Sequence, residues 1–485
     1  MRKIIILSIL ISILFIGFIL FRTYNFIKNT PVNLKETSKA EIDDKAVENL
    51  LKSVSIPVVT LKDYKNSDFS RHIKFKEFLE STYPEIFEQL EFRTINSYSL
   101  LFKWKGKDEK LPPVVFVGHY DVVEADETSL KEWKYPPYKG GIENGKIFGR
   151  GTLDDRGSVI ALFQAISKLI QEGYTPNRDI YFAFGHDEET GGVNGAKAIS
   201  DWFFDNNIKP EMVLDEGGRV ELLENNTQNA YIGVCEKGRL LINLKLKSKG
   251  MHASRPPKET SVTKLADAIR ELNKNQSKAV LIPQAKDYYK ATFNNRSLIT
   301  RILIANSDIL KLFLFKKLQQ NPLDNAYIRS TIAITQLKGA SSANAIPSVA
   351  VATIDSRILP EQIPDDMLNH IEKVLSKKFG KDEYEIEVIS KTDPSNVSDT
   401  NSKIFKKLAD EISSAFPSAN IVPYMIPAGT DAKYYEKISK NVYRFLPILI
   451  KPEEYSLMHG TNEYISVENY MRMITFYNSF IKNNF

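Results

Sequence analysis

Three apolar runs, residues 113–117, 180–184 and 212–214, each hand the chain directly to acidic or imidazole side chains. The first leads into Gly118-His119-Tyr120-Asp121, the second into Gly185-His186-Asp187-Glu188-Glu189, and the third into Asp215-Glu216-Gly217-Gly218. Short continuous apolar runs of this kind read as strands buried on both faces, the signature of a parallel sheet. Between the first two lies Gly149-Arg150-Gly151-Thr152-Leu153-Asp154-Asp155. A helical pattern follows, with Val159, Ile160, Leu162, Phe163, Ile166, Leu169 and Ile170 on one face and Gly173 as its stop. Alternating strands and helices predict an α/β fold with a mainly parallel sheet, and such sheets hold ligands beyond the carboxyl ends of their strands. The acids and histidines sit where that chemistry belongs.

The residue types suit metal. Zinc takes imidazole nitrogen and carboxylate oxygen; His119, Asp154, Glu189, Asp215 and the distant His459 would close a two-zinc site around one water. Glu188, beside Glu189 at a strand end, is then left for proton transfer. Taken singly, each residue has an ordinary alternative as a helix cap, a surface charge or a satisfied buried histidine. The set argues for a metal centre because every member falls at a strand end or a glycine-rich turn.

The ordered motifs go further. His119-x-Asp121-Val122-Val123, Gly149-Arg150-Gly151-x-x-Asp154-Asp155, Glu188-Glu189-x-Gly191, Asp215-Glu216-Gly217-Gly218, Gly250-Met251-His252-Ala253-Ser254, Gly429-Thr430-Asp431 and His459-Gly460 run in sequence order. In this the chain resembles the di-zinc metallopeptidases that include aminoacylase, glutamate carboxypeptidase and carboxypeptidase S. Gly185-His186-Asp187-Glu188-Glu189, Glu236-Lys237-Gly238 and residues 256–261 resemble most the branch of carboxypeptidase S and the N-fatty-acyl-amino-acid synthase/hydrolase. The resemblance covers nearly everything after about residue 45.

It implies that Asp154 bridges two zinc ions per subunit, with His119 and Asp215 on one and Glu189 and His459 on the other. Asp121 would orient His119 through its second ring nitrogen. Glu188 would take a proton from the water and return it to the leaving amine. It also implies a cis peptide between Asp154 and Asp155. An inserted lid, an α/β sandwich, would carry His252 as the stabiliser of the oxyanion, in relatives often across a homodimer interface. Asn344 and Arg357 match lid motifs and would contact substrate, although a capping Asn and a solvated Arg are the ordinary readings. Many relatives place an arginine two residues after the aspartate of Gly-Thr-Asp; here Lys433 stands there, keeping the charge for a product carboxylate without the bidentate fork. Gly250-Met251-His252 also departs from the usual direct glycine–histidine step.

The expected division is a membrane segment at 1–28, a linker at 29–45, a catalytic domain at 46–235 and 392–485, and the lid at 236–391. Within the lid, residues 240–246 alternate as a strand, 263–272 read as a helix and 348–354 as a strand. Residues 302–315 are strongly apolar and precede Lys316-Lys317. Three readings stay open for them: a buried helix, a groove for a fatty acyl chain, or a surface lying on a membrane.

Residues 4–21 carry no charge and follow Arg2 and Lys3. As a helix they rise about 27 Å, close to a hydrocarbon core of about 30 Å. Without a small-residue cleavage site they predict a signal anchor with an extracytoplasmic enzyme; a secreted form after signal-peptide cleavage is the alternative. Net charge is +5 on 65 basic and 60 acidic residues, with no basic tract or aromatic–basic interleaving suited to nucleic acid. The single cysteine, Cys235, has no intrachain disulfide partner. The function expected is zinc-dependent hydrolysis of an amide beside an amino acid, on small peptides as a carboxypeptidase or on N-acyl amino acids, where reversal would make it a synthase. A membrane-anchored, non-catalytic binding protein of the same fold is the alternative. A two-metal phosphoesterase would want an arginine cluster that the sequence lacks.

Overall fold

The computed structural model describes residues 2–28, 41–224 and 226–485; residues 29–40 of the expected linker at 29–45 lie outside them. The chain forms two compact units. One comprises Met1–Thr30, Cys235–Val397 and Met425–Gly429; the other comprises Pro31–Val234, Ser398–Tyr424 and Thr430–Phe485. The first element is a helix, α1 (Arg2–Lys28).

The larger unit is built on a mixed sheet. Its centre contains β1 (Ser99–Trp104), β2 (Val114–His119), β3 (Ile180–Gly185) and β4 (Met212–Asp215), with helix α2 (Arg156–Gln171) between β2 and β3 in sequence. Their spatial order is β1–β3–β2–β4, followed by the strand Val442–Arg444. β2 runs parallel to β3 and β4, β4 parallel to Val442–Arg444, and β1 antiparallel to β3. Every residue of β2, β3 and β4 is buried, which is why these strands read as unbroken apolar runs rather than as alternation. On one side α2 packs on β2 and on the C-terminal helix Val467–Asn484; on the other lies Ala196–Asp205, whose Ile199 and Phe203 join Val115, Val117, Ala183 and Val213 in one core. The register sets His119 opposite Gly185 and Phe116 opposite Leu214, so the residues that follow all three strands emerge at one edge. The fold is the α/β architecture expected from the sequence.

The smaller unit carries an antiparallel sheet. Its elements are β5 (Gly238–Lys247), α3 (Ser261–Lys274), four short helices α4 (Pro283–Ala291), α5 (Leu298–Ala305), α6 (Lys311–Leu318) and α7 (Pro322–Ile328), then β6 (Thr331–Lys338), β7 (Val349–Ile358), α8 (Pro364–Leu375) and β8 (Tyr384–Thr392). The strand order is β6–β7–β5–β8. Leu240, Ile242, Leu244 and Leu246 are fully buried and meet Leu265, Ala268 and Leu272 of α3 and Met367 and Ile371 of α8. That one-sided burial explains the alternation of β5; each such leucine contributes about 1.5–3 kcal/mol. The apolar stretch at 302–315 becomes parts of α5 and α6.

Candidate metal centre

His119 closes β2 and is 1 % exposed. Its Nε2 lies 2.9 Å from Asp154 Oδ1, and its Nδ1 lies 3.1 Å from the carbonyl oxygen and 3.4 Å from Oδ1 of Asp121. Asp154 stands in the turn before α2, joined to Asp155 by a cis peptide. Its second oxygen is 2.9 Å from His459 Nε2, which also lies 3.2 Å from Glu189 Oε2. Ligand atoms of His119, Asp154 and Glu189 all fall within 4.8 Å of one another. Four of the five residues expected as ligands are therefore in one cluster. The fifth, Asp215, ends the neighbouring strand β4 and accepts a hydrogen bond from Thr430 Oγ1 at 3.0 Å.

A second layer holds these groups. Asp121, fully buried, accepts the backbone N–H of Glu188 on one oxygen and that of Glu189 on the other, both at 3.2 Å. One residue thus holds both the turn that carries the two glutamates, through its carboxylate, and the ring of His119, chiefly through its carbonyl oxygen. Arg150 and Glu463 form a buried ion pair at 2.7 Å, and the other oxygen of Glu463 accepts the N–H of Leu153 at 2.9 Å. Arg150 also donates to the carbonyl of His459 at 3.1 Å. His459 itself takes a left-handed φ of 61°, a region that residues other than glycine seldom occupy.

The cluster's electrostatics fit a cation. Burial pushes Glu188 up to about 8, opposed by His119 and reinforced by Glu189, Asp154 and Asp121. Burial likewise raises Glu189, and raises Asp155, Glu216 and Asp431 well above the usual carboxylate range. Asp154 is held low despite its burial by hydrogen bonds from His119 and His459. Those same bonds, from Asp154 first and Glu189 second, raise His459 to about 10. Oε1 of Glu189 is buried without a hydrogen-bond partner among the described residues. So many buried carboxyls on so few counter-charges are costly to ionise. A divalent cation between imidazole and carboxylate ligands supplies the missing charge and the missing partner.

Other expected site residues fall elsewhere. Lys433 lies in the larger unit, its Nζ 4.9 Å from the centre of the Tyr434 ring, and its charge opposes the rise at Asp431. In the smaller unit, His252 is exposed, with Nδ1 2.8 Å from Ser254 Oγ. A short antiparallel ladder sets His252 opposite Ala345, and Ala253 N–H donates to the carbonyl of Asn344 at 2.9 Å. Arg357, on β7, donates to Asp355 Oδ1 at 2.9 Å.

Sequence reasoning assigned no role to Arg150, Glu463, Thr430 or Asp431. A signal existed for all four, though a faint one for Glu463. Arg150 and the Thr430-Asp431 pair lie inside motifs already picked out, and Glu463 follows His459 by four residues.

Residues 115–483 match Peptidase family M20/M25/M40. The chain belongs to this family. The M20 peptidase chain is 36 % identical over 417 residues to a "Probable carboxypeptidase S-like 2" of Dictyostelium discoideum, covering 85 % of this chain and 79 % of that one. It is 32 % identical over 445 residues to the human N-fatty-acyl-amino acid synthase/hydrolase PM20D1, covering 90 % and 87 %. Among solved structures, an M20 family metallo-carboxypeptidase from Sulfolobus solfataricus superposes with a TM-score of 0.66 at 20 % identity, over 91 % of this chain and 99 % of that one. Human carnosine dipeptidase 1 follows at 0.65 and 17 %, over 90 % and 95 %. These two likenesses establish the shared fold. Family membership makes this M20 chain a hydrolase of the metallopeptidase type.

Proposed function

We propose that this chain hydrolyses the amide bond of an acylated amino acid, using two zinc ions held by His119, Asp154, Glu189, Asp215 and His459. The observation that carries the reading is the pairing of Glu188 and Glu189 on one carboxylate, Asp121. Two adjacent acids are thereby fixed at a strand end, one for metal and one for protons. The substrate class joins the two names among the relatives: a peptide cut at its carboxyl-terminal residue and an N-acyl amino acid are both acyl–NH–CHR–COO⁻.

When bound, the zinc ions would supply Lewis acidity at the carbonyl oxygen and a lowered pKa for the attacking water. Glu188 accepts the proton of that water and delivers it to the departing nitrogen, so one carboxylate serves as base and then as acid. Asp121 keeps Glu188 and the His119 ring in place throughout. His252 is proposed as the donor to the developing oxyanion, and Asn344, Arg357 and Lys433 as substrate contacts, Lys433 toward the free carboxylate. Hydrolysis is reversible, so concentrated products would drive the same residues toward synthesis.

The helix Lys3–Phe26 is long and apolar enough to cross a membrane and is exposed from Lys3 to Phe18. We read it as an uncleaved signal anchor that holds the enzyme on the extracytoplasmic side.

The test is a panel of dipeptides, N-acetyl amino acids and N-long-acyl amino acids given to the zinc-loaded full chain, with Glu188→Gln alongside. Cleavage of at least one class should fall by about 10²–10⁴-fold in the variant at unchanged zinc content. Turnover indifferent to Glu188 would remove its role, and no turnover at all would leave a binding protein of this fold.

A further inference from the structure

Helix α1 is not merely tethered to the smaller unit; its last two turns are packed into it. From Ile4 to Phe18 its large apolar side chains are about half exposed or more, whereas Ile19 and Thr23, one turn apart, are 8 % and 4 % exposed. Asn306, at the end of α5, donates its amide to the carbonyl of Ile19 at 3.3 Å and to Thr23 Oγ1 at 3.2 Å. Arg22 forks onto both oxygens of Asp308 at 3.0 Å. Phe26 meets Phe293 with ring centres 4.4 Å apart. The protein therefore grips α1 over a rise of about 10 Å, at the end where its uncharged run gives way to Arg22.

Helix α5, which makes this grip, and α6, which packs on α5, also expose apolar side chains. On α5, Leu298 and Ile299 are 60 % and 66 % exposed; on α6, Leu312 and Phe313 are 82 % and 66 % exposed. Leu314, Phe315 and Leu318 of α6 point inward, so the exposed pair is not needed for the core. Lys311, Lys316 and Lys317 flank that pair and are themselves exposed, and no acidic residue falls between Asp308 and Asp324. An apolar tip ringed by long cationic side chains, without acids, is the composition of a helix lying in a bilayer interface. There the apolar groups sink about 5–10 Å and the lysine heads stay with the lipid phosphates.

We propose that α5 and α6 seat the smaller unit on the bilayer that α1 spans, with Leu298, Ile299, Leu312 and Phe313 inserted at the boundary between headgroups and acyl chains. The occupant of this face is lipid, because α5, which carries half of it, packs on α1 where the uncharged run of that helix ends. The proposal rests on reading α1 as a span.

Single cysteines at 298, 312 and 313, each carrying an environment-sensitive fluorophore, test it in the full chain reconstituted into phosphatidylcholine–phosphatidylserine vesicles. The native chain is the blank, since Cys235 is buried. Ile11→Cys on α1 and Leu337→Cys on β6, exposed to 58 % and 64 %, report the span and the solvent. Labels at 298, 312 and 313 should be blue-shifted and lose most of their fluorescence to lipids spin-labelled near the headgroup, and the label at 11 to lipids spin-labelled deep in the acyl chain, while the label at 337 is untouched by either. Quenching at position 11 alone would overturn the seat and leave the span standing; quenching at neither would remove both. A blue shift without lipid quenching would mean that a protein surface covers the face, and would equally overturn the proposal.

Discussion

Glu463 divides its carboxylate between Arg150, on one oxygen, and the backbone leading into Asp154, on the other. Because Arg150 also holds the carbonyl of His459, one buried ion pair braces two loops more than three hundred residues apart in sequence. Glu463→Gln keeps the shape but leaves the Arg150 charge buried without its partner. Breaking such a pair costs about 3–5 kcal/mol, and loosening the support of metal ligands costs about 10–100-fold in metal affinity. Zinc competition titration and thermal unfolding of the variant should show both losses. Retained zinc affinity would mean that the pair braces the fold without governing the centre.

Gly192 makes room for Asp431. A Cβ built on Gly192 would collide with Asp431 Oδ1, and its φ is +71°. Gly192→Ala therefore meets a left-handed penalty of about 1–2 kcal/mol together with a clash against a buried carboxyl. In urea unfolding the loss should exceed the backbone penalty alone, and Asp431→Ala in the same chain should recover part of it, as coupled neighbours do. Equal losses in the two backgrounds would show that the carboxyl is not the obstacle.

The parallel core was legible because β2, β3 and β4 are buried on both faces and so leave unbroken apolar runs. The alternation of β5 was legible for the opposite reason, burial on one face only. His119, Asp154 and Glu189 could be singled out because each follows such a run or a glycine-rich turn, whereas His459 was singled out by the His459-Gly460 motif. The bracing residues could not be ranked that way. Glu463 looks like an ordinary surface acid in sequence, since only three-dimensional burial distinguishes an acid that braces such a loop from one that faces water. The apolar stretch at 302–315 left several readings open for a related cause: periodicity over two short helices does not reveal that Leu314 and Phe315 turn inward while Leu312 and Phe313 turn out.

Metal removal should be visible in stability as well as in activity. The buried carboxyls around His119 and His459 gain from any cation that binds only the folded chain. At a free concentration a thousand times its dissociation constant that gain is about 4 kcal/mol. Chelation should lower Tm by several degrees and restored zinc should return it, followed by circular dichroism. In Asp154→Asn, which keeps the volume and loses the charge between the two histidines, the zinc-dependent part of the shift should shrink. A Tm unmoved by chelation would count against the cluster as a metal centre.

Below neutral pH a different pair of groups should set stability. His72 and His186 are buried, and desolvation holds both down to about 4 from the usual 6.5. Thr60 Oγ1 donates to the carbonyl of His186 and lies 3.0 Å from His72 Nε2, so Nε2 is the donor in that contact. His72 Nδ1 is buried, and a proton placed there would lose its hydration, a cost that the backbone of Asp68 and His186 offsets only in part. The folded pKa lies below the unfolded one, so the stabilisation is complete above about pH 6.5 and drains away as the pH falls toward 4. From pH 7 to pH 5 the loss is about 2 kcal/mol for each histidine. His72→Gln can keep the contact with Thr60 but cannot titrate. Urea unfolding at the two pH values should show a smaller drop for this variant than for the native chain, even if it begins less stable. An identical drop would place the acid sensitivity in other groups.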